Sequence, residues 1–465
     1  MTLDATLSDT IAAIATAPGH GGVGIVRVSG PDARRIAQAL FRPTNKQWPG
    51  FEPRRMHHGH AMAPDGAVLD EVLTVFMPGP RSYTGQDTAE VHCHGGPAIL
   101  KAVLEAALAQ GARQAEPGEF TFRAWKNGRM DLTQAEAVAE AIAAPTRAGL
   151  ALAQARLSGA LGHRVRQLRA ALEDLRAGVC LAVDFPEDDV ECLDPARFRA
   201  GVDQAARDLR DMLKGFERTR CWREGALAVL AGQVNAGKSS LLNALLGRER
   251  AIVTDAPGTT RDYLEEAVSL DGLPVRLVDT AGLRESPDAV EAAGVSRSQD
   301  LCREADLVLL VADGSLPAHP DDLKMGQEIG KGRLLVALNK GDLPRAEPDP
   351  ARQFASAGME CLEISAKTGQ GLSALTTRMR GRILESTHAA EPQETDLAPN
   401  LRQSQAMQRA LEELDALSHD IGQGLPYDLL GVRLETACAH LAELTGDIAP
   451  ADVLERIFAQ FCIGK

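Results

Sequence analysis

Gly232-Gln-Val-Asn-Ala-Gly-Lys-Ser239 is a G-x4-G-K-[ST] stretch set between an apolar run and a helix start. Before it, Leu227-Ala-Val-Leu-Ala231 has the pattern of a fully buried strand. After it, Ser240-Leu-Leu-Asn-Ala-Leu-Leu246 opens a helix that Gly247 is expected to cap. In this context the glycines let successive backbone N–H groups face bound phosphates. The helix N-terminus adds partial positive charge, Lys238 a cation and the Ser239 hydroxyl a Mg²⁺ ligand. Asn235, Ala236, Gly237, Lys238, Ser239 and Ser240 are therefore nucleotide-lining residues. The octapeptide alone recurs in unrelated chains; its flanks make it a phosphate loop.

The other parts of a guanine-nucleotide switch follow in order. The polar segment 252–262 carries Thr254, Asp255, Ala256, Pro257, Gly258, Thr259 and Thr260. A threonine here can ligate Mg²⁺ while its backbone senses the γ-phosphate. Val275-Arg-Leu-Val-Asp279 reads as a strand running into Thr280, Ala281 and Gly282. Asp279 suits the outer coordination of Mg²⁺, and the Gly282 N–H suits the γ-phosphate. Asn339-Lys340-Gly341-Asp342 follows the apolar run Leu334-Leu-Val-Ala-Leu338. A carboxylate at Asp342 accepts from guanine N1–H and the exocyclic amine, donors adenine lacks there. Ser365, Ala366 and Lys367 would close the base pocket. Each short motif recurs by accident on surfaces; in this order on strand ends they read as a GTPase domain.

Leu283 stands where small Ras-like proteins place the glutamine that orients the attacking water. Leucine cannot do that chemistry. Asn235 could hold a monovalent cation beside the phosphates, or simply brace the loop. Arg261 and Arg284 are nearby guanidiniums that suit solvated or structural roles. Glu291, in a helix-prone segment, could orient water once that region orders.

At 465 residues the chain should hold about three domains. Its 44% hydrophobic and 25% charged content is that of a globular protein. A net charge of −14 argues against a large sequence-independent nucleic-acid footprint. Arg147, Arg156, Arg164, Arg166, Arg169 and Arg176 form a local basic run, read as a solvated helix face with a tRNA-facing stripe as the alternative. No targeting segment or membrane span is legible, and a cytoplasmic location is expected. The eight cysteines form no C-x2-C pair, so neither zinc nor a disulfide framework is indicated. His57, His58, His60, His92 and His94 lack the companion ligands a metal site needs.

The organisation expected is an α+β N-terminal domain over 1–120, a helical domain begun over 121–221, an inserted GTPase domain over 222–384, and the second helical half over 385–465. Thr133-Gln-Ala-Glu136 suggests a capping box opening one long helix. Gly19-His-Gly-Gly-Val-Gly24 matches G-x-G-x-x-G but lies between strands, so a dinucleotide reading fails its context. The chain ends Phe461-Cys-Ile-Gly-Lys465. Gly464 and a terminal lysine fit prenylation poorly; Cys462 reads either as a reactive thiol on an ordered tail or as a partly buried inert one.

Together these pieces resemble one family, the bacterial and organellar tRNA-modification GTPases (TrmE/MnmE). The resemblance spans nearly the whole chain. It rests on Asp9-Thr-Ile-Ala-Ala-Ile-Ala-Thr-Ala-Pro-Gly, Gly21-Gly-Val-Gly-Ile-Val-Arg27, Tyr83-Thr-Gly-Gln-Asp, His94-Gly-Gly-Pro97 and Pro117-Gly-Glu-Phe-Thr-Phe-Arg123. Asp131-Leu-Thr-Gln-Ala-Glu136, Asp184-Phe-Pro186, Gly258-Thr-Thr-Arg-Asp262 and the terminal Phe-Cys-Ile-Gly-Lys extend it.

The resemblance implies a constitutive homodimer whose N-terminal domain binds 5,10-methylene- or 5-formyl-tetrahydrofolate. It implies a heterotetramer with an FAD-dependent partner (GidA/MnmG), and an aminomethyl or carboxymethylaminomethyl group placed on C5 of the wobble uridine (U34) of certain tRNAs. Arg27, Glu90, Arg129 and Lys465 match the folate site. Arg129 replaces a common lysine, which keeps charge but changes geometry. Asn235, Thr254, Ala256 and Thr259 match K⁺ ligands, Ser239 and Thr260 Mg²⁺ ligands, Glu291 a water-orienting carboxylate, and Cys462 a cysteine required for modification. The rival from another class is a ribosome-assembly GTPase switch that modifies nothing; it shares Gly258-Thr-Thr-Arg-Asp262 and the leucine at 283.

Overall fold

The computed structural model describes residues 8–184, 194–249, 265–279, 300–391 and 397–465. The chain is mixed α/β and falls into two units: Met1–Ala139, Leu157–Asp203 and Glu412–Lys465 form one, Glu140–Arg156 and Gln204–Leu411 the other.

The first unit is built on seven strands: β1 (Ile11–Ile14), β2 (Gly21–Ser29), β3 (Phe41–Pro43), β4 (Met56–Met62), β5 (Val68–Met77), β6 (Thr88–Gly95) and β7 (Arg113–Gln114). Their order is β3-β4-β5-β6-β2-β1-β7. β4 reads Met-His-His-Gly-His-Ala-Met with alternating burial, so His57 points inward and His58 outward. The histidines are thus divided between two strands, His57, His58 and His60 on β4 and His92 and His94 on β6. Trp48 Nε1 donates to His57 Nδ1 at 2.9 Å, and His94 Nδ1 lies 2.8 Å from Asp70 Oδ1. Gly21 opens β2, which carries a bulge between Gly21 and Gly24 against β6, so the glycine-rich stretch enters a strand.

Helices Ala160–Asp184 and Tyr427–Thr445 pack along each other, although 200-odd positions of chain separate them. Arg169 reaches Asp447 at 2.5 Å, and Gly431 approaches Val179 closely enough that an added Cβ would meet it at 3.3 Å. The helical domain is therefore assembled from two segments, with the GTPase domain inserted between them. The C-terminal helix Ala451–Ala459 and Phe461 pack on Phe122, Leu132 and Ala135.

The second unit holds a six-stranded sheet of β8 (Ala226–Ala231), β9 (Glu265–Leu270), β10 (Leu273–Asp279), β11 (Leu307–Asp313), β12 (Leu334–Asn339) and β13 (Cys361–Glu363). The order is β13-β12-β11-β8-β10-β9, parallel except for β9 against β10. β11 and β12 are almost continuously apolar because helices cover both faces of such a sheet. Leu152 and Trp222 join this core, together with Leu230, Leu245 and Leu277.

Two local expectations are corrected. Gly247 does not end its helix, which runs Lys238–Glu249. One interior glycine costs only about 1 kcal/mol, too little to stop a helix that continues into Arg248. The capping box belongs to Asp131 and Gln134, not Thr133 and Glu136. Asp131 Oδ1 accepts from Gln134 N, and Gln134 Oε1 accepts from Asp131 N, both at 3.0 Å. The helix they open, Leu132–Ala143, is also short.

Candidate functional site: a phosphate loop with a base pocket, and an arginine-held tail

β8 lies between β10 and β11, and the loop after it opens at the carboxyl ends of these parallel strands, where ligands of α/β sheets bind. Gly232 has φ +128°, and a Cβ there would lie 2.2 Å from Val311 O. Gly237 has φ +98°, and a Cβ there would meet Asn339 Nδ2 at 2.2 Å. Any larger residue at either position would force the loop off its neighbours. Asn235 is exposed and takes φ +65°, a left-handed turn that asparagine tolerates. Lys238 is buried, its ammonium donating to Gly232 O (2.9 Å) and Gln233 O (2.8 Å). Ser239 Oγ donates to Asp279 Oδ2 at 3.0 Å, so the hydroxyl and the carboxylate predicted to serve Mg²⁺ converge from different elements.

The base motifs also meet. Asn339 is buried and bridges two segments, donating through Nδ2 to Ala236 O and accepting at Oδ1 from Ala366 N, both at 3.0 Å. Ser365 Oγ donates to Asp342 Oδ1 at 2.7 Å. That hydroxyl holds the exposed Asp342 carboxyl below its ordinary value, with Lys367 and Lys340 adding attraction. Asp342 is thus kept as an acceptor, the state guanine recognition needs. Lys367 is exposed at the rim. Lys340, at φ +63°, donates to Asp313 Oδ2 at 2.5 Å. Burial pushes Asp313 up, but Lys340 and Ser315 outweigh it and hold the carboxyl low. Sequence reasoning missed Asp313; its signal was a lone carboxylate closing the apolar strand Leu307–Asp313. Thr254, Asp255, Ala256, Pro257, Gly258, Thr259, Thr260, Arg261, Thr280, Ala281, Gly282, Leu283, Arg284 and Glu291 lie outside the described residues.

In the first unit, Arg27 and Glu90 face each other across β2 and β6, with Arg27 Nε donating to Glu90 Oε1 at 2.8 Å. The same guanidinium donates to Gly464 O at 3.1 Å, drawing in a residue 437 positions away. It also lies 5.5 Å from the Tyr83 ring centroid and 5.6 Å from that of Phe120, two aromatic neighbours the sequence did not reveal. His92, then the Arg27 charge, hold Glu90 below the usual carboxylate range against its burial. Gly464 takes φ +98°, and a Cβ there would strike Ile14 O at 2.2 Å, so the tail seats only with glycine. Lys465 O accepts from Phe120 N at 3.2 Å. Burial, then Arg27, lower the Lys465 ammonium from its ordinary value. Arg129 is exposed and donates to Ser82 O at 3.0 Å, beside Tyr83. Cys462 is exposed on this tail, whereas burial pushes Cys93 up to about 12 and Cys438 to about 11.

Three arginines of the basic run are held in ion pairs, while Arg147 and Arg164 are exposed. Arg166 pairs with Asp131 at 2.8 Å, Arg169 with Glu173 at 2.7 Å, and buried Arg156 with Glu140. Among the described residues no group of three or more His, Cys, Asp or Glu is arranged for a metal, and no helix is long and apolar enough to cross a membrane.

A phosphate loop backed by a serine–aspartate pair, with Asn339 and Asp342 set for guanine, defines a P-loop GTPase. Residues 10–129 match the family described as the GTP-binding protein TrmE N-terminus, and residues 132–462 match the MnmE helical domain. The chain is 54% identical to the tRNA modification GTPase MnmE of Nitratidesulfovibrio vulgaris (strain DP4), covering 98% of this chain and 99% of that protein. It is 43% identical to the tRNA modification GTPase MnmE of Lawsonia intracellularis (strain PHE/MN1-00), over 99% and 100% of the two chains. A solved G domain of the T. maritima FeoB iron transporter is 28% identical over 35% of this chain and 98% of its own, at a TM-score of 0.25 that carries no weight. The chain belongs to the MnmE family of tRNA modification GTPases.

Proposed function

We propose that this protein is a K⁺-dependent GTPase that, with an FAD-dependent partner, modifies C5 of the wobble uridine of certain tRNAs using a tetrahydrofolate one-carbon donor. The observation that carries this is the seating of the terminal tail: Arg27 holds Glu90 and Gly464 together, which brings Lys465 and the exposed Cys462 thiol to the N-terminal sheet. A guanine switch needs no such assembly. A folate-fed modification does, because the carboxylates of the donor call for cations in a half-buried setting.

The residues fit the implied groups. Arg27 and Lys465 supply positive charge, Tyr83 and Phe120 flat apolar walls, and Arg129 an exposed guanidinium. Glu90 offers an acceptor to the donor's ring N–H groups. When bound, the folate provides the one-carbon unit. Ser239 and Asp279 converge as a Mg²⁺ site requires, with Thr260 the further ligand. Asn235, in a left-handed turn, is assigned to K⁺ alongside Thr254, Ala256 and Thr259, and the bound cation would supply the charge that Leu283 cannot. Glu291 is the carboxylate assigned to orienting water. A homodimer in the cytoplasm, bound to its flavoprotein partner, completes the reading, with domains at 1–120, 121–221, 222–384 and 385–465.

Mass spectrometry of tRNA nucleosides from cells lacking this protein tests it. Loss of the C5 modification at the wobble uridine is expected. Normal modification there would favour the ribosome-assembly switch.

A further inference from the structure

The phosphate loop has a second support that its motif does not record. Helix Pro320–Ile329 follows β11 and is opened by His319, whose Nδ1 accepts from Asp321 N at 3.3 Å. Asp322, in the first turn, is only 2% exposed. Its Oδ1 accepts from Gln233 Nε2 at 3.2 Å. Gln233 is the loop's second residue, and its own carbonyl accepts from Lys238 Nζ at 2.8 Å. One residue is therefore gripped at its side chain by a buried carboxylate and at its backbone by the loop ammonium.

Packing does not explain a carboxylate there. Burying a carboxylate costs stability, and a neutral side chain would fill the space without that cost. Burial, with Asp321 adding to it, holds the Asp322 carboxyl above its ordinary value against the pull of Gln233, His319 and Lys238. What the carboxylate adds is an acceptor at a fixed point on a helix, holding the side chain of a loop residue whose carbonyl already accepts from Lys238 and from Ala236 N.

We propose that Asp322 is a positioning residue for the phosphate loop, acting through the Gln233 amide to fix the carbonyls on which Lys238 rests. The loop N–H groups are then aimed before a nucleoside diphosphate or triphosphate enters, and less ordering entropy is lost on binding. Asp322 itself touches no phosphate. The inference rests on reading 232–239 as a phosphate loop.

The test is a double-mutant cycle on the full chain, read by affinity for a fluorescent GDP analogue, with melting temperature measured in parallel. Asp322→Ala and Gln233→Ala should each weaken binding about tenfold, and the double variant no more than either, as expected for residues acting in series. Asp322→Asn, which keeps an acceptor oxygen, should bind within about threefold of the parent and so rescue the loss. Multiplying losses in the double variant, or Asp322→Asn as weak as Asp322→Ala, would overturn the proposal. Should Asp322→Ala not fold, undiminished affinity in Gln233→Ala overturns it alone. Failure of the parent protein to bind the analogue would instead sink the phosphate-loop reading.

Discussion

Asn235 carries the sharpest single-residue consequence. Its side chain leaves a left-handed backbone position on an exposed part of the loop, where it braces nothing among the described residues that a hydrogen bond would mark. Under the proposed function it is a K⁺ ligand. GTP turnover should be much faster in K⁺ than in Na⁺, and Asn235→Ala should abolish that difference while leaving GTP binding largely intact. Steady-state turnover in the two salts, with a parallel binding titration, checks both points; undiminished K⁺ stimulation in the variant would reject the assignment. At this scale the sequence was most informative, because Lys238, Ser239, Asn339, Asp342 and Ser365 act through groups their identities already announce. It was silent on the roles of Asp322, Tyr83 and Phe120, which exist only once distant segments meet.

Elements are tied by charge as much as by apolar packing. Arg123, on helix Glu119–Lys126, is 1% exposed and bonds Glu119 at 2.8 Å, Asp9 Oδ1 at 2.5 Å and Asp9 O at 2.8 Å. Arg123→Met removes one of the two arginines that hold these acids, and the cost should be about 3 kcal/mol, the low end for breaking a buried pair. A lowered denaturation midpoint for the N-terminal unit, followed by tryptophan fluorescence, checks it. Glu360 ties helix Leu372–Thr387 to the start of β13 through Arg378 Nε at 2.6 Å and Arg382 at 2.6 Å. Arg378 first, then Arg382, hold Glu360 down to about 2 from 4.5. A folded value below the free one means the tie contributes fully above about pH 4.5 and is lost as pH falls toward about 2. Glu360→Gln should melt lower than the parent at pH 7, with the gap closing over that window; a gap independent of pH would contradict this. None of these ties was legible beforehand. The same holds for the arginine run, whose acids Asp131 and Asp447 lie far off in sequence, and for the Asp131–Gln134 box, which a two-residue offset hid.

At the scale of the whole molecule, the architecture was legible because its signals are coarse. Buried parallel strands read as apolar runs, and a helical composition that stops at the GTPase motifs and resumes after them implies an insertion. The packing of helix Ala160–Asp184 on Tyr427–Thr445 realises that insertion. Nothing local announced that the last residues would return to Arg27, since a tail's destination is fixed by its partners. The central claim is that GTP hydrolysis and uridine modification are functions of one chain. The most direct measurement is nucleoside mass spectrometry of tRNA from cells whose only copy carries Lys238→Ala, at matched protein level. Loss of the C5 wobble-uridine modification is the predicted result; full modification with a disabled phosphate loop would contradict the account.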